Sequence, residues 1–148
     1  ALRHTLPPAR DAQGTPVRFQ SQPTAAISPS DTAVCANKLV TFTVNFTGTA
    51  PYSLNYSIGS LPQTPVTGIN NSSYSFTTGV PQNTVIHLVS ISDQFCQNVP
   101  VQDSSVITIN SIPQITNVQT ICDSTAQNYS VHFTIQGGEA PYNVTGIT

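Results

Sequence analysis

Apolar and polar residues alternate with a period of two in stretch after stretch of this chain, the pattern of strands with one buried and one wet face. In KLVTFTVNF, residues 38–46, Val40, Phe42, Val44 and Phe46 fall on one side and Thr41, Thr43 and Asn45 on the other. YSLNYSI does the same with Tyr52, Leu54, Tyr56 and Ile58 against Ser53, Asn55 and Ser57. SYSFTT (Ser73 to Thr78) is shorter, NTVIHLVSISD (Asn83 to Asp93) is longer and more apolar, and SSVITIN (Ser104 to Asn110) closes the series. With PTAAIS and the weaker TPVTGI, about seven strands are expected between Pro23 and residue 111, separated by turn residues at the spacing of a two-sheet sandwich. Antiparallel sheets tolerate one wet face, so the fold class predicted is all-β, an immunoglobulin-like antiparallel β-sandwich.

The pattern then starts again. NYSVHFTI puts Tyr129, Val131, Phe133 and Ile135 in phase, with Tyr129 standing 89 positions after Val40. The corner Ala50-Pro51-Tyr52 returns as Ala140-Pro141-Tyr142, 90 positions later, and Cys122 follows Cys35 by 87. An echo at a nearly fixed period identifies a repeated folding unit, with small loop insertions accounting for the drift. The organisation expected is therefore a sandwich over 23–111 and, from 112 to 148, the N-terminal part of a second, incomplete copy with about three strands. Half a sandwich leaves an inner face and a strand edge open, so the second copy is expected to be completed either by residues after Thr148 or by strands from a neighbouring chain. Residues 1–22, with Pro7, Pro8, Gly14 and Pro16, read as an extended tail or linker; VRFQSQPTAAIS resembles VITINSIPQIT, so the tail could alternatively hold the last strand of a preceding unit.

Composition narrows the range of functions. Only 7% of residues are charged, against roughly 25% in ordinary soluble proteins, and the net charge is -2. The four basic residues are Arg3, Arg10, Arg18 and Lys38, three of them within the first eighteen positions, so there is no nucleic-acid footprint. No apolar run reaches the roughly 20 residues of a membrane span. His4, His87 and His132 have no Cys or carboxylate in metal-ligand spacing, the acids are scattered singly, and no Gly-x-Ser-x-Gly elbow occurs. No catalytic, metal or cofactor residue is assigned, and an enzyme is not expected.

Cys35 stands before one main strand and Cys96 after another, in SDQFCQN. If a sandwich brings those positions to the same end, they form a disulfide enclosing 61 residue steps, which would contribute roughly 4 kcal/mol. Cys122 would then be the counterpart of Cys35; three buried free thiols are the alternative. Six Asn-x-Ser/Thr tripeptides begin at Asn45, Asn55, Asn70, Asn71, Asn128 and Asn143, and they count only in a host that glycosylates asparagine.

PTAAIS leading to TAVC (Thr32 to Cys35), TGTAPYSLNYSI (Thr47 to Ile58), SISDQFC (Ser90 to Cys96) and VITINSIPQI (Val106 to Ile115) together resemble the immunoglobulin-like repeats of very large surface and secreted proteins of the Bacteroidota, including gliding-type adhesins. The likeness runs from about Val17 to the end. It implies an extracellular or cell-surface protein, exported by a dedicated secretion system and acting as an adhesin, stalk or filament, with neighbouring repeats or neighbouring protomers as its partners. It supplies no catalytic residue. It also implies an O-glycosylation signal of Asp, Ser or Thr, and a small residue: DTA and DST fit it, which makes Thr32 and Ser124 candidate acceptors, beside a plain turn role for each Asp-Ser/Thr pair. Two functions follow. One is a spacer that projects a distant binding region. The other is a fibre subunit assembled by strand addition. A carbohydrate-binding platform ranks below both, because the aromatic residues lie mostly in the inward phase.

Overall fold

The computed structural model describes residues 9–17, 19–125 and 127–145. Among them there are strands and no helices: β1 (Thr24–Ser28), β2 (Asp31–Cys35), β3 (Val40–Thr47), β4 (Tyr52–Ile58), β5 (Leu61–Pro62), β6 (Val66–Ile69), β7 (Ser73–Thr78), β8 (Thr84–Ser92), β9 (Val99–Pro100), β10 (Ser104–Asn110), β11 (Gln114–Cys122) and β12 (Tyr129–Gln136). The chain is all-β. The long alternating stretches form strands close to the bounds their patterns predict, and YSLNYSI, SYSFTT and SSVITIN match β4, β7 and β10 residue for residue.

One sheet has the order β1-β3-β7, and a second has the order β2-β10-β8-β4-β5, with β6 also on β4 and β9 on β8. The two face each other across a single core. Phe42, Val44, Leu54, Ile86 and Ile91 are completely buried there, with Ala25, Ile27, Phe46, Tyr52, Leu88 and Ile107 beside them. The aromatic rings cross between the sheets: Phe46 lies 5.0 Å from Tyr52, and Tyr56 4.7 Å from Phe76, centroid to centroid. Such pairs add to the stabilisation from buried area. The period-two face of β3 thus does what its pattern predicts.

One strand departs from the expected antiparallel arrangement. TAVC was not part of any predicted strand, yet β2 runs parallel to β10, with Val106 opposite Asp31 and Asn110 opposite Cys35. The chain leaves the first sheet after Ser28 and joins the second at Asp31. Residues of the β10 region hold the crossing from beneath. The Asp103 carboxylate accepts the Ile27 N–H at 2.8 Å, the fully buried Ser105 hydroxyl donates to the Pro29 carbonyl at 2.6 Å, and the Val106 N–H donates to the Ser30 carbonyl at 2.9 Å. These bonds satisfy the Ile27 N–H at the end of β1 and the Pro29 and Ser30 carbonyls of the crossing.

Among the described residues beyond 111 there are two strands, against the about three expected. β11 and β12 pair antiparallel, and Pro141 to Thr145 form no strand. At the other end, Ala9–Val17 make a small turn around the Asp11 carboxylate with a bridge between Arg10 and Pro16, while Phe19 to Gln22 join no ladder. The expectation of a strand from a preceding unit in this stretch is therefore not met among the described residues. His4 and Arg18 lie outside them.

Candidate interaction surface

The repeated Ala-Pro-Tyr sequence forms a definite corner. Tyr52 is buried, and its hydroxyl donates to the Gly48 carbonyl at 2.9 Å. Ninety positions later, the Tyr142 hydroxyl donates to Gly138 at 3.4 Å and to Gly137 at 3.1 Å. Each glycine sits at positive φ, and each has a proline in the space a Cβ would need: Pro23 beside Gly48 and Pro113, again ninety positions on, beside Gly138. The side chain that closes the first corner is Asp93, 4% exposed. Its carboxylate accepts the Thr49 N–H at 3.0 Å, the Cys96 N–H at 2.7 Å and the Phe95 N–H at 2.9 Å, tying the loop after β8 to the corner before β4.

These bonds to the charged form, led by Thr49 and Cys96, hold the Asp93 carboxyl below the ordinary aspartate range against the opposing effect of its burial. A group whose pKa is lowered on folding contributes stability that is present above its unfolded value and lost as pH falls toward the folded one. We therefore expect stability to fall as pH drops below about 4, and Asp93→Asn to flatten that part of the curve. Asn keeps one acceptor oxygen and turns a donor toward either Thr49 or the Phe95 and Cys96 amides. Urea midpoints measured between neutral pH and pH 3 check this; an unchanged acid slope in the variant would remove Asp93 as its source. Asp123 is also lowered, first by the Thr125 hydroxyl, but it organises only its own exposed turn.

The structure corrects the disulfide expectation. Cys35 and Cys96 are free thiols. Cys35 lies opposite Asn110, past the point where Ile107 meets Thr84 at the start of β8, whereas Cys96 follows the far end of β8. The nine residues of β8 separate the two by roughly 27 Å, while a disulfide needs Cα atoms within about 7 Å. The two cysteines stand at opposite ends because β2 runs parallel to β10. Cys122 is exposed at the end of β11.

The candidate glycan acceptors differ. Thr32 is half-buried and stands opposite the buried Ile107, in phase with Val34 on β2, whereas Ser124 is exposed in the Asp123 turn. Among the Asn-x-Ser/Thr sites, Asn70 and Asn71 lie exposed between β6 and β7, whereas the half-buried Asn55 donates to the Ser90 hydroxyl at 2.8 Å. His87 and His132 are exposed on strands. Among the described residues no group of His, Cys, Asp and Glu is gathered closely enough to hold a metal ion.

What remains is an apolar surface. The first three pairs of the hairpin β11–β12 repeat those of β1–β3: Gln114 opposite Gln136, Ile115 opposite Ile135 and Thr116 opposite Thr134 match Thr24 opposite Thr47, Ala25 opposite Phe46 and Ala26 opposite Asn45; a bulge between Thr116 and Gln119 then shifts the register, and β11 stays on β12 as far as Cys122, where the first unit's chain has crossed to the other sheet. Phe42, Val44 and Phe46 are buried, but Val131, Phe133 and Ile135 are only half-buried, with Tyr129 63% exposed. A groove of about 540 Å³ runs beside this face, lined by Ile115, Ile135, Pro141, Tyr142 and Val144. Among the described residues β12 pairs with β11 alone. No protein-family model matches the chain, and no curated protein matches it. No described helix is long and apolar enough to cross a membrane.

Proposed function

We propose that the chain is a segment of an extracellular structural or adhesive protein, in which immunoglobulin-like β-sandwiches follow one another and act as a spacer or stalk. The observation that carries the reading is the recurrence of one geometry about ninety residues apart: strand register over three residue pairs, glycine against proline, and tyrosine hydroxyl on glycine carbonyl. Sequence periodicity alone can arise from composition, but three independent contacts recurring with it are what a duplicated unit requires. In this reading 23–111 is one sandwich, 112–148 begins another, and residues 1–22 are the connecting stretch. The few charges and many hydroxyl and amide groups suit a surface that neither attracts polyanions nor repels its neighbours.

Antibodies against the full chain, applied to intact cells that make the protein, test the location: labelling of the cell surface or of released material is expected, and labelling only after permeabilisation would overturn the proposal. The fibre reading draws on Phe19, 86% exposed, and on the unpaired edge of β12. Sedimentation separates the two. A spacer stays monomeric at micromolar concentration, whereas a fibre subunit forms oligomers that disappear when residues 1–22 are removed.

A further inference from the structure

We propose that the open edge of β12 is an acceptor for one antiparallel strand with the chemistry of β7, uncharged and carrying aromatic side chains at alternate positions with Ser or Thr between them. The inference rests on the repeat reading above, because it takes β3 as the template for β12. One edge of β3 is held by β1, in the register that β11 makes with β12 over its first three pairs, before the β11 bulge; its other edge is held by β7. There Phe76 lies opposite Phe42 and Tyr74 opposite Val44, and these aromatics close the sheet over the core. On the wet side the Thr41 and Thr77 hydroxyls meet at 2.9 Å, and those of Thr43 and Ser75 at 2.8 Å.

Carried 89 positions forward, Phe42 and Val44 become Val131 and Phe133, and Thr41 and Thr43 become Ser130 and His132. The half-buried pair of β12 thus calls for two aromatic partners on the inner face, and its outer pair calls for hydroxyl-bearing ones. No charge lies between Tyr129 and Gln136, so a charged residue on the inward phase of the incoming strand would be desolvated without a partner, which excludes it. Main-chain bonds along the edge supply affinity, and the alternation supplies selectivity. The outer edge of β11 is unpaired as well, but in the template the corresponding edge of β1 carries no strand, so the occupant is assigned to β12.

The experiment titrates the full chain, labelled with nitrogen-15, with a synthetic peptide of the sequence Asn71 to Gly79, NSSYSFTTG. Expected are shifts of the Val131 and Phe133 resonances and, for alternate amides of β12, exchange slowed by about tenfold or more. A peptide of the same composition with Tyr and Phe adjacent is expected to do neither, since only one ring can then face inward. Three results would each overturn the assignment: no change at β12 with millimolar peptide, an equal effect from the adjacent-aromatic peptide, or changes confined to β3 and β7. Concentration-dependent shifts at β12 without peptide would replace the proposed occupant by a second copy of the chain. None of these outcomes bears on where the protein is found, so failure here is distinct from failure of the surface labelling.

Discussion

Replacing Phe42 by Ala is expected to destabilise the folded chain by about 3–5 kcal/mol, while the same change at Phe133 costs less than about 1 kcal/mol. The two phenylalanines occupy the same phase of strands with the same pattern, but their surroundings differ. Phe42 is completely buried, with Phe76 stacked at 5.7 Å and the opposite sheet above it. Removing its ring takes away both the transfer free energy and the contacts of the atoms that lined it, and the surrounding core can close only part of the space. A loss of that size is a large share of the 5–15 kcal/mol that holds a typical domain. Phe133 is half-buried on a two-stranded hairpin, so its truncation leaves no cavity. Urea unfolding followed by far-ultraviolet circular dichroism gives both values. Equal losses would mean that the β12 face is covered in solution and would remove the ground for a strand acceptor.

The second large effect is expected at Gly48, where Ala costs about 3 kcal/mol. At φ 117 the backbone lies in a region that side chains disfavour, and an added Cβ would stand 2.7 Å from the Asp93 carboxylate and 3.0 Å from the Pro23 Cβ. Neither neighbour yields readily: Pro23 is a buried ring next to β1, and Asp93 is fixed by three amides. Gly68→Ala is the control. Its φ of 70 is also positive, but nothing lies within 4 Å of the added atom, so only the backbone term of about 1 kcal/mol remains. Thermal midpoints of the two variants separate crowding from conformation, and equal shifts would show that the Pro23 and Asp93 contacts carry no weight.

The long strands were legible because each has one face that must be buried, and burial writes alternation into the residues themselves. β3 is the clearest case, with Phe42, Val44 and Phe46 inward and Thr41, Thr43 and Asn45 outward. β2 was not legible. Its five residues offer only Thr32 and Val34 to the interior, and its partner β10 lies 75 positions away, so nothing local states that Asp31–Cys35 belongs to the other sheet. The mistaken disulfide follows from the same gap, since the end at which Cys35 emerges depends on the direction of that pairing. Asp93 stands in the sequence as one of several scattered acids, yet the Asp-Gln-Phe-Cys order places two amides within reach of one carboxylate, the signature of a turn built on its own side chain. The exposure of the β12 face could not be read at all, because alternation records which side of a strand is apolar and not whether anything lies against it.

The crossing between Ser28 and Asp31 also bears on how the larger unit would respond to tension. With the chain held before β1 and after β10, traction enters β2 at Asp31 and leaves β10 at Asn110, the opposite ends of two neighbouring strands that point the same way. The bonds joining them are then loaded in shear, all together, and cannot be opened one after another like a zip. On the proposed stalk reading, a pull along the length would be resisted by those five paired positions and by the three contacts that Asp103, Ser105 and Val106 make with the crossing, in addition to the β1–β3 ladder.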